Sequence, residues 1–140
     1  MFCAYHSICD WHHPDYPLGS PGGSTQKPKP DLDRYERYLK GQLQELFTRC
    51  GPLGLVWFDG EWEAPWTRER GDELYRWCRS QQDSVIVNNR VSKAREGMAG
   101  TSAQSLGNAG DYDTPEQAIG KYQDQRPWES CITIGRQWAW

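Results

Sequence analysis

This sequence predicts an α/β fold with a parallel sheet, amounting to three or four βα units of a (β/α)8-barrel-like domain. Three observations carry that expectation. Short β-branched and aromatic runs alternate with helical stripes, the pattern of parallel strands joined by crossover helices. Each apolar run stops at polar residues, as happens where βα loops build one active face. The 140 residues also hold at most four strands, too few for a closed barrel of eight or a flavodoxin-like sheet of five. Residues 1–140 therefore read as a single partial barrel, with its early strands and closing end missing.

Phe2 to Ser7 form the first expected strand, followed by the polar cluster Cys9-Asp10-Trp11-His12-His13-Pro14-Asp15-Tyr16. From Leu18 to Pro30 the chain is rich in Gly, Ser, Pro and Lys, and Pro28 and Pro30 bar a helix. Asp31 or Asp33 then caps a helix. Its stripe, Tyr35, Leu39, Leu43, Leu46 and Cys50, advances by about four residues at a time, close to the helical repeat. Gly51-Pro52 ends it. A strand through Val56, Trp57 and Phe58 to Asp59 follows, then a helix from about Gly71 to Ser80 with Leu74, Trp77 and Cys78 on one face. Ser84 to Asn88 is a third strand. An aperiodic loop covers about Val91 to Asp113, Thr114-Pro115-Glu116 closes it, and Trp128 to Ile134 predicts a fourth strand.

Composition narrows the function classes. With 16 basic and 19 acidic residues, the charge supports neither a nucleic-acid nor a membrane partner, and no apolar run approaches spanning length. Eight Trp are unusual in so short a chain. Most stand beside polar residues, and a flat indole with one N–H donor suits the C–H faces of sugars as well as a core. The five Cys are odd in number and lack a CxxC pair, so neither a disulfide framework nor a zinc knuckle is indicated. Cys50 and Cys78 read as small core hydrophobes. The N-terminus lacks a signal-peptide pattern and resembles a strand interior, so the chain is expected to begin mid-domain.

The most informative segment is Gly54-Leu55-Val56-Trp57-Phe58-Asp59-Gly60-Glu61-Trp62. An apolar strand delivers a carboxylate to its rim, and Gly60 lets the backbone turn at once. Asp also opens turns and caps helices, but here Trp57, Trp62 and Trp66 crowd it. Two carboxylates about a sugar bond are the minimum for glycoside hydrolysis. Asp59, on a rigid strand end, suits the nucleophile. Glu116 suits the acid/base, with Tyr112 and Trp128 near enough in sequence to exclude water from it or simply to pack. Neither role needs a cofactor. His6, His12, His13 and Asp15 fit no zinc spacing, and His12 and His13 are expected to hydrogen-bond within their loop or to an aglycone.

In series, Tyr5-His6-Ser7, Asp10 to Tyr16, Val56 to Gly60, Asn88-Asn89-Arg90, Gly110 to Gln117 and Trp128-Glu129 resemble glycoside hydrolase family 29, the retaining α-L-fucosidases. The resemblance spans nearly the whole chain. Its Trp-His-His-Pro-Asp-Tyr and Thr-Pro-Glu-Gln segments look most like the branch acting on branched α-1,3/1,4-fucosides. It implies Asp59 as nucleophile and Glu116 as acid/base, with Glu61, Glu63 and Glu129 as rivals of Glu116. It also implies Arg90 beside the sugar and nucleophile, Trp57 lining the fucose pocket and Tyr5 facing it. Trp62, Trp128, Glu129, His12 and His13 complete the expected substrate-binding set. The family's usual Lys-His-His-Asp-Gly-Phe segment is absent, which implies a catalytic-domain fragment, inactive alone, of a secreted or periplasmic parent. The implied partner is a fucosylated oligosaccharide or glycoconjugate. The alternative is a non-catalytic carbohydrate-binding or inactive remnant of such a domain.

Overall fold

Alternation along the strand Leu53–Asp59 decides which side of the sheet the helices cover. Val56 and Phe58 are fully buried, while Leu55, Trp57 and Asp59 between them are only partly covered. The computed structural model describes residues 1–93, 109–117 and 126–138. In chain order its main elements are β1 (Phe2–Ser7), α1 (Leu32–Arg49), β2 (Leu53–Asp59), α2 (Arg68–Gln81) and β3 (Ile86–Val87), with a short 3-10 turn at Asn89–Val91. The strands are parallel in the order β1-β2-β3. Tyr5 pairs with Trp57 and Ser7 with Asp59, after a register shift between Phe2 and Cys3.

Val56, Phe58 and Val87 share one core with Tyr35, Leu39 and Leu43 of α1 and Leu74 and Cys78 of α2. Side chains alternate across a strand, so Cys3, Tyr5, Trp57 and Ile86 fall on the opposite face. Tyr5 and Ile86 are well exposed there. Each helix is capped by the residue before it. Asp31, rather than Asp33, accepts from Arg34 N at 2.9 Å. Thr67 accepts from Arg70 N at 3.3 Å, so α2 begins three residues before the expected Gly71.

Three expectations are corrected. Cys50 is exposed, because it is the C-cap of α1 and lies past the last turn that faces the sheet; Cys78 is buried as expected. The third strand is regular only over Ile86–Val87. The fourth strand expected over Trp128 to Ile134 is not a strand. Instead, three single parallel bridges, Asn88–Tyr112, Asp113–Trp128 and Glu116–Cys131, carry the pairing outward from β3. Pro115 and Pro127 lack an N–H, so they serve only as acceptors, from Cys131 N at 2.9 Å and Asp113 N at 3.0 Å, and the ladder cannot run on. Of the expected long loop, residues 94–108 lie outside the described residues. Among the described residues no helix is long and apolar enough to cross a membrane.

Candidate active site

At the C-terminal ends of the strands a cavity of about 600 Å³ is lined by Tyr5, Trp57, Asp59, Trp62, Arg90, Glu116, Cys131 and Trp138. That size falls in the range of roughly 300–1,000 Å³ usual for small-ligand sites. Asp59 reaches it as the last residue of β2. Gly60 then turns the chain with φ at 102°, and a Cβ there would stand 2.4 Å from Cys9 Sγ. Only glycine meets both demands.

The run Asn88-Asn89-Arg90 places one side chain on each neighbouring piece of the site. The Asn88 amide donates to Phe58 O at 2.9 Å and accepts from Phe58 N at 3.0 Å, extending the pairing of β3 to the residue before Asp59. Asn89 donates to Asp113 at 3.2 Å and accepts from Thr114 Oγ1 at 2.8 Å. Arg90 donates from Nη1 to Asp59 Oδ1 at 2.9 Å, from Nη2 to Glu116 Oε2 at 2.8 Å and from Nε to Thr114 Oγ1 at 2.8 Å. Its side chain is 3% exposed, against 22% for Asp59 and 17% for Glu116. Burial works against the guanidinium's charge, but Asp59, Glu61 and Glu116 outweigh it and raise its pKa.

Tyr5 donates to the other oxygen of Asp59 at 2.9 Å. Although the residue as a whole is well exposed, partial covering of its hydroxyl end first, then the hydrogen bond and charge of Asp59, hold its phenol above the ordinary range, so it remains a donor. Trp57 lies beneath, stacked on Tyr5 at 5.6 Å, with the Arg90 guanidinium 4.7 Å from its ring centre. Both oxygens of Asp59 are thus held, and a single cation spans it and Glu116. That constellation suits displacement at a carbon bearing an oxygen leaving group, with one carboxylate attacking and the other handling the proton.

The α-L-fucosidase family model matches residues 1–140. The chain belongs to the α-L-fucosidase family. It is similar to α-L-fucosidase of Branchiostoma floridae, 28% identical over 140 residues, which are 97% of this chain and 28% of that protein. Tissue α-L-fucosidase of Homo sapiens is 27% identical over 136 residues, covering 94% of this chain and 26% of that one. Among solved structures, α-L-fucosidase isoenzyme 1 from Paenibacillus thiaminolyticus is 33% identical with a TM-score of 0.71, covering 97% of this chain and 34% of that chain. The chain spans about a quarter of the length of the curated relatives it matches.

In this fucosidase-family chain the expected site residues divide. Tyr5, Trp57, Asp59, Trp62, Arg90 and Glu116 meet at the cavity; His12, His13, Trp128 and Glu129 do not line it. The His13 ring packs against Tyr38 at 4.4 Å and Tyr35 at 5.2 Å, and its Nδ1 accepts from Asp15 N. His12 is exposed, and its backbone is held by Asp10. Trp128 is half-buried at its bridge to Asp113. Glu129 accepts from Trp57 Nε1 and, at 3.3 Å, from Tyr112 Oη. Glu61 and Glu63 are buried outside the cavity wall. Glu63 accepts from Trp11 Nε1 at 2.9 Å and from Tyr16 Oη. Sequence reasoning missed Thr114, Cys131 and Trp138. Thr114 carried a signal in its place two before Glu116, whereas Trp138 sits in a polar tail with no periodicity to mark it.

Proposed function

We propose that this protein hydrolyses terminal α-L-fucosyl linkages of fucosylated oligosaccharides or glycoconjugates with retention, through a covalent fucosyl–Asp59 ester. The observation that carries the proposal is the Arg90 guanidinium bonded at once to Asp59 and Glu116 at one cavity. Retention needs two carboxyl groups only about 5–5.5 Å apart, and adjacent nitrogens of one guanidinium favour such a spacing. Asp59 attacks the anomeric carbon while Glu116 gives a proton to the departing glycosidic oxygen. The charge left on Glu116 develops beside Arg90 Nη2. Water then attacks the anomeric carbon of the ester, Glu116 takes its proton, and the bond to Asp59 breaks to release it as carboxylate. Tyr5 and Arg90, one on each oxygen of Asp59, aim the nucleophile.

Two finer features belong to the same proposal. The segments Trp11 to Tyr16 and Thr114 to Gln117 support the branch that acts on α-1,3/1,4-linked fucose. Among the described residues no helix packs on the face carrying Tyr5, Trp57 and Ile86, which supports a barrel interior with α1 and α2 on the outside. A fluorinated fucosyl inactivator tests the mechanism. Incubated with the full-length protein and followed by peptide mapping, it should label Asp59, and labelling of Glu61 or Glu63 would overturn the assignment.

A further inference from the structure

The Arg90 guanidinium has a third edge that faces neither carboxylate. Its Nε donates to Thr114 Oγ1 at 2.8 Å, and Nη2 also reaches Thr114 O at 3.5 Å. Thr114 is fully buried and does not line the cavity. Behind it stand Asn89 and Asp113, both buried as well. Thr114 Oγ1 donates to Asn89 Oδ1 at 2.8 Å, and Asn89 Nδ2 donates to Asp113 Oδ1 at 3.2 Å. Asp113 Oδ1 in turn pairs with Arg126 Nε at 3.2 Å.

This string of bonds has one direction. Arg90 can only donate, so the Thr114 hydroxyl accepts from it and must point its own proton at Asn89. At the far end a carboxylate paired with an arginine only accepts, so the amide of Asn89 turns its NH2 to Asp113 and its oxygen to Thr114. Neither the hydroxyl nor the amide can turn over without leaving a buried polar group unsatisfied. A guanidinium is planar, so a fixed bond at Nε sets the directions of the other two edges. Thr114 and Glu116 are also two residues apart, the spacing at which extended side chains share a face, and both bond Arg90. Resting on the fucosidase function proposed above, we infer that Thr114 is a positioning residue that acts through Arg90. Its hydroxyl, oriented by Asn89 and Asp113, sets the guanidinium plane so that Nη1 meets Asp59 while Nη2 meets Glu116.

The test uses substitutions in the full-length protein, assayed on an aryl α-L-fucoside. Thr114→Val keeps the shape and removes the hydroxyl. It should lower kcat roughly thirtyfold and leave KM within about twofold, because the lost contact aims the reacting groups and does not touch the sugar. Thr114→Ser keeps the hydroxyl and should stay within about threefold of wild type. In an Arg90→Lys background the Nε edge no longer exists, so Thr114→Val should cost less than about threefold more. Equal losses in the two backgrounds, a Thr114→Ser as slow as Thr114→Val, or a Thr114→Val as fast as wild type would each overturn the role. Should Thr114→Val fail to fold, Thr114→Ala against Thr114→Ser decides in the same way: a slow Ala beside a fast Ser supports the role, and equal rates overturn it. A wild-type protein with no activity on the fucoside would refute the fucosidase function itself, and this role with it.

Discussion

Arg90 and Asp59 form a nearly buried ion pair, Nη1 to Oδ1 at 2.9 Å, and the pair is one half of a bridge. The other half runs from Nη2 to Glu116 at 2.8 Å. A planar fork can address two carboxylates in fixed directions, whereas an ammonium is a point charge on a flexible stem. Arg90→Lys should therefore keep the cation and still lower kcat/KM on an aryl α-L-fucoside by about a hundredfold or more, the size of effect expected when a buried electrostatic contact near the reacting atoms is lost. Far-ultraviolet circular dichroism and a melting curve would check that the variant folds, since Arg90 also holds Thr114. Activity of the Arg90→Lys variant within a few-fold of wild type would show that charge alone suffices.

Glu116 and Glu129 are two acids with different surroundings. Glu116 lines the cavity on Arg90, while Glu129 is taken up by Trp57 and Tyr112. If Glu116 handles the proton, Glu116→Ala should slow substrates with poor leaving groups by orders of magnitude more than activated aryl fucosides. Azide, attacking the fucosyl–Asp59 ester in place of activated water, should restore turnover and yield the retained product, α-fucosyl azide. Glu129→Ala should show neither the leaving-group dependence nor the rescue. The reverse result would move the acid/base role to Glu129.

The legible parts of this protein were those built from local pattern. The stripe Tyr35, Leu39, Leu43 is the buried face of α1, and the apolar run before Asp59 is β2. Asp59 and Arg90 could be singled out because each sits at the end of such a run, and Glu116 because it closes the aperiodic loop that follows. Trp128 to Ile134 misled because β-branched and aromatic residues fit a strand, yet a strand also needs a partner with free N–H groups. The partner here is interrupted at Pro115, a tertiary fact. His13 accepts a hydrogen bond inside its loop, from Asp15 N, and its ring also turns to Tyr35 and Tyr38 on α1, a contact across the loop of Leu18 to Pro30 that no local spacing reveals. Trp138 joins the cavity through the path of the chain alone.

Two helical glycines make opposite predictions. Gly71 lies in α2 where a Cβ would come within 2.4 Å of Ser92 Cα and 2.5 Å of Val91 O, both backbone atoms. That close approach seats the turn carrying Arg90 against the helix. Gly41 lies in α1 with nothing within 4 Å of its would-be Cβ. Gly41→Ala should stabilise the protein by roughly 0.5–1 kcal/mol through helix propensity. Gly71→Ala gains the same propensity, but overpacking costs about 1–3 kcal/mol, so the net effect should be a lower Tm. Chemical denaturation of both variants checks the pair, and a stabilised Gly71→Ala would show that α2 yields freely.

His6 should make the protein acid-sensitive. It lies in β1, with its ring 6.3 Å from Phe58 and Nδ1 2.9 Å from Ser7 O. Burial lowers its pKa from the ordinary 6.5, opposed by the Ser7 carbonyl and by Gln42. Well above pH 6.5 the imidazole is neutral both folded and unfolded, and it contributes nothing to the pH dependence. Below that, the unfolded chain binds a proton that the folded chain resists, so stability falls as pH drops. The slope cannot exceed about 1.4 kcal/mol per pH unit for one group. His6→Asn keeps an amide donor near Ser7 O but does not titrate. Its absolute stability is free to shift, but its loss between pH 7 and pH 5 should be smaller than that of wild type. Urea titrations of both proteins across that interval measure the difference, and the carboxylates common to both cancel from it. Parallel stability curves would mean that the ring takes its proton as readily in the folded strand as in the unfolded chain.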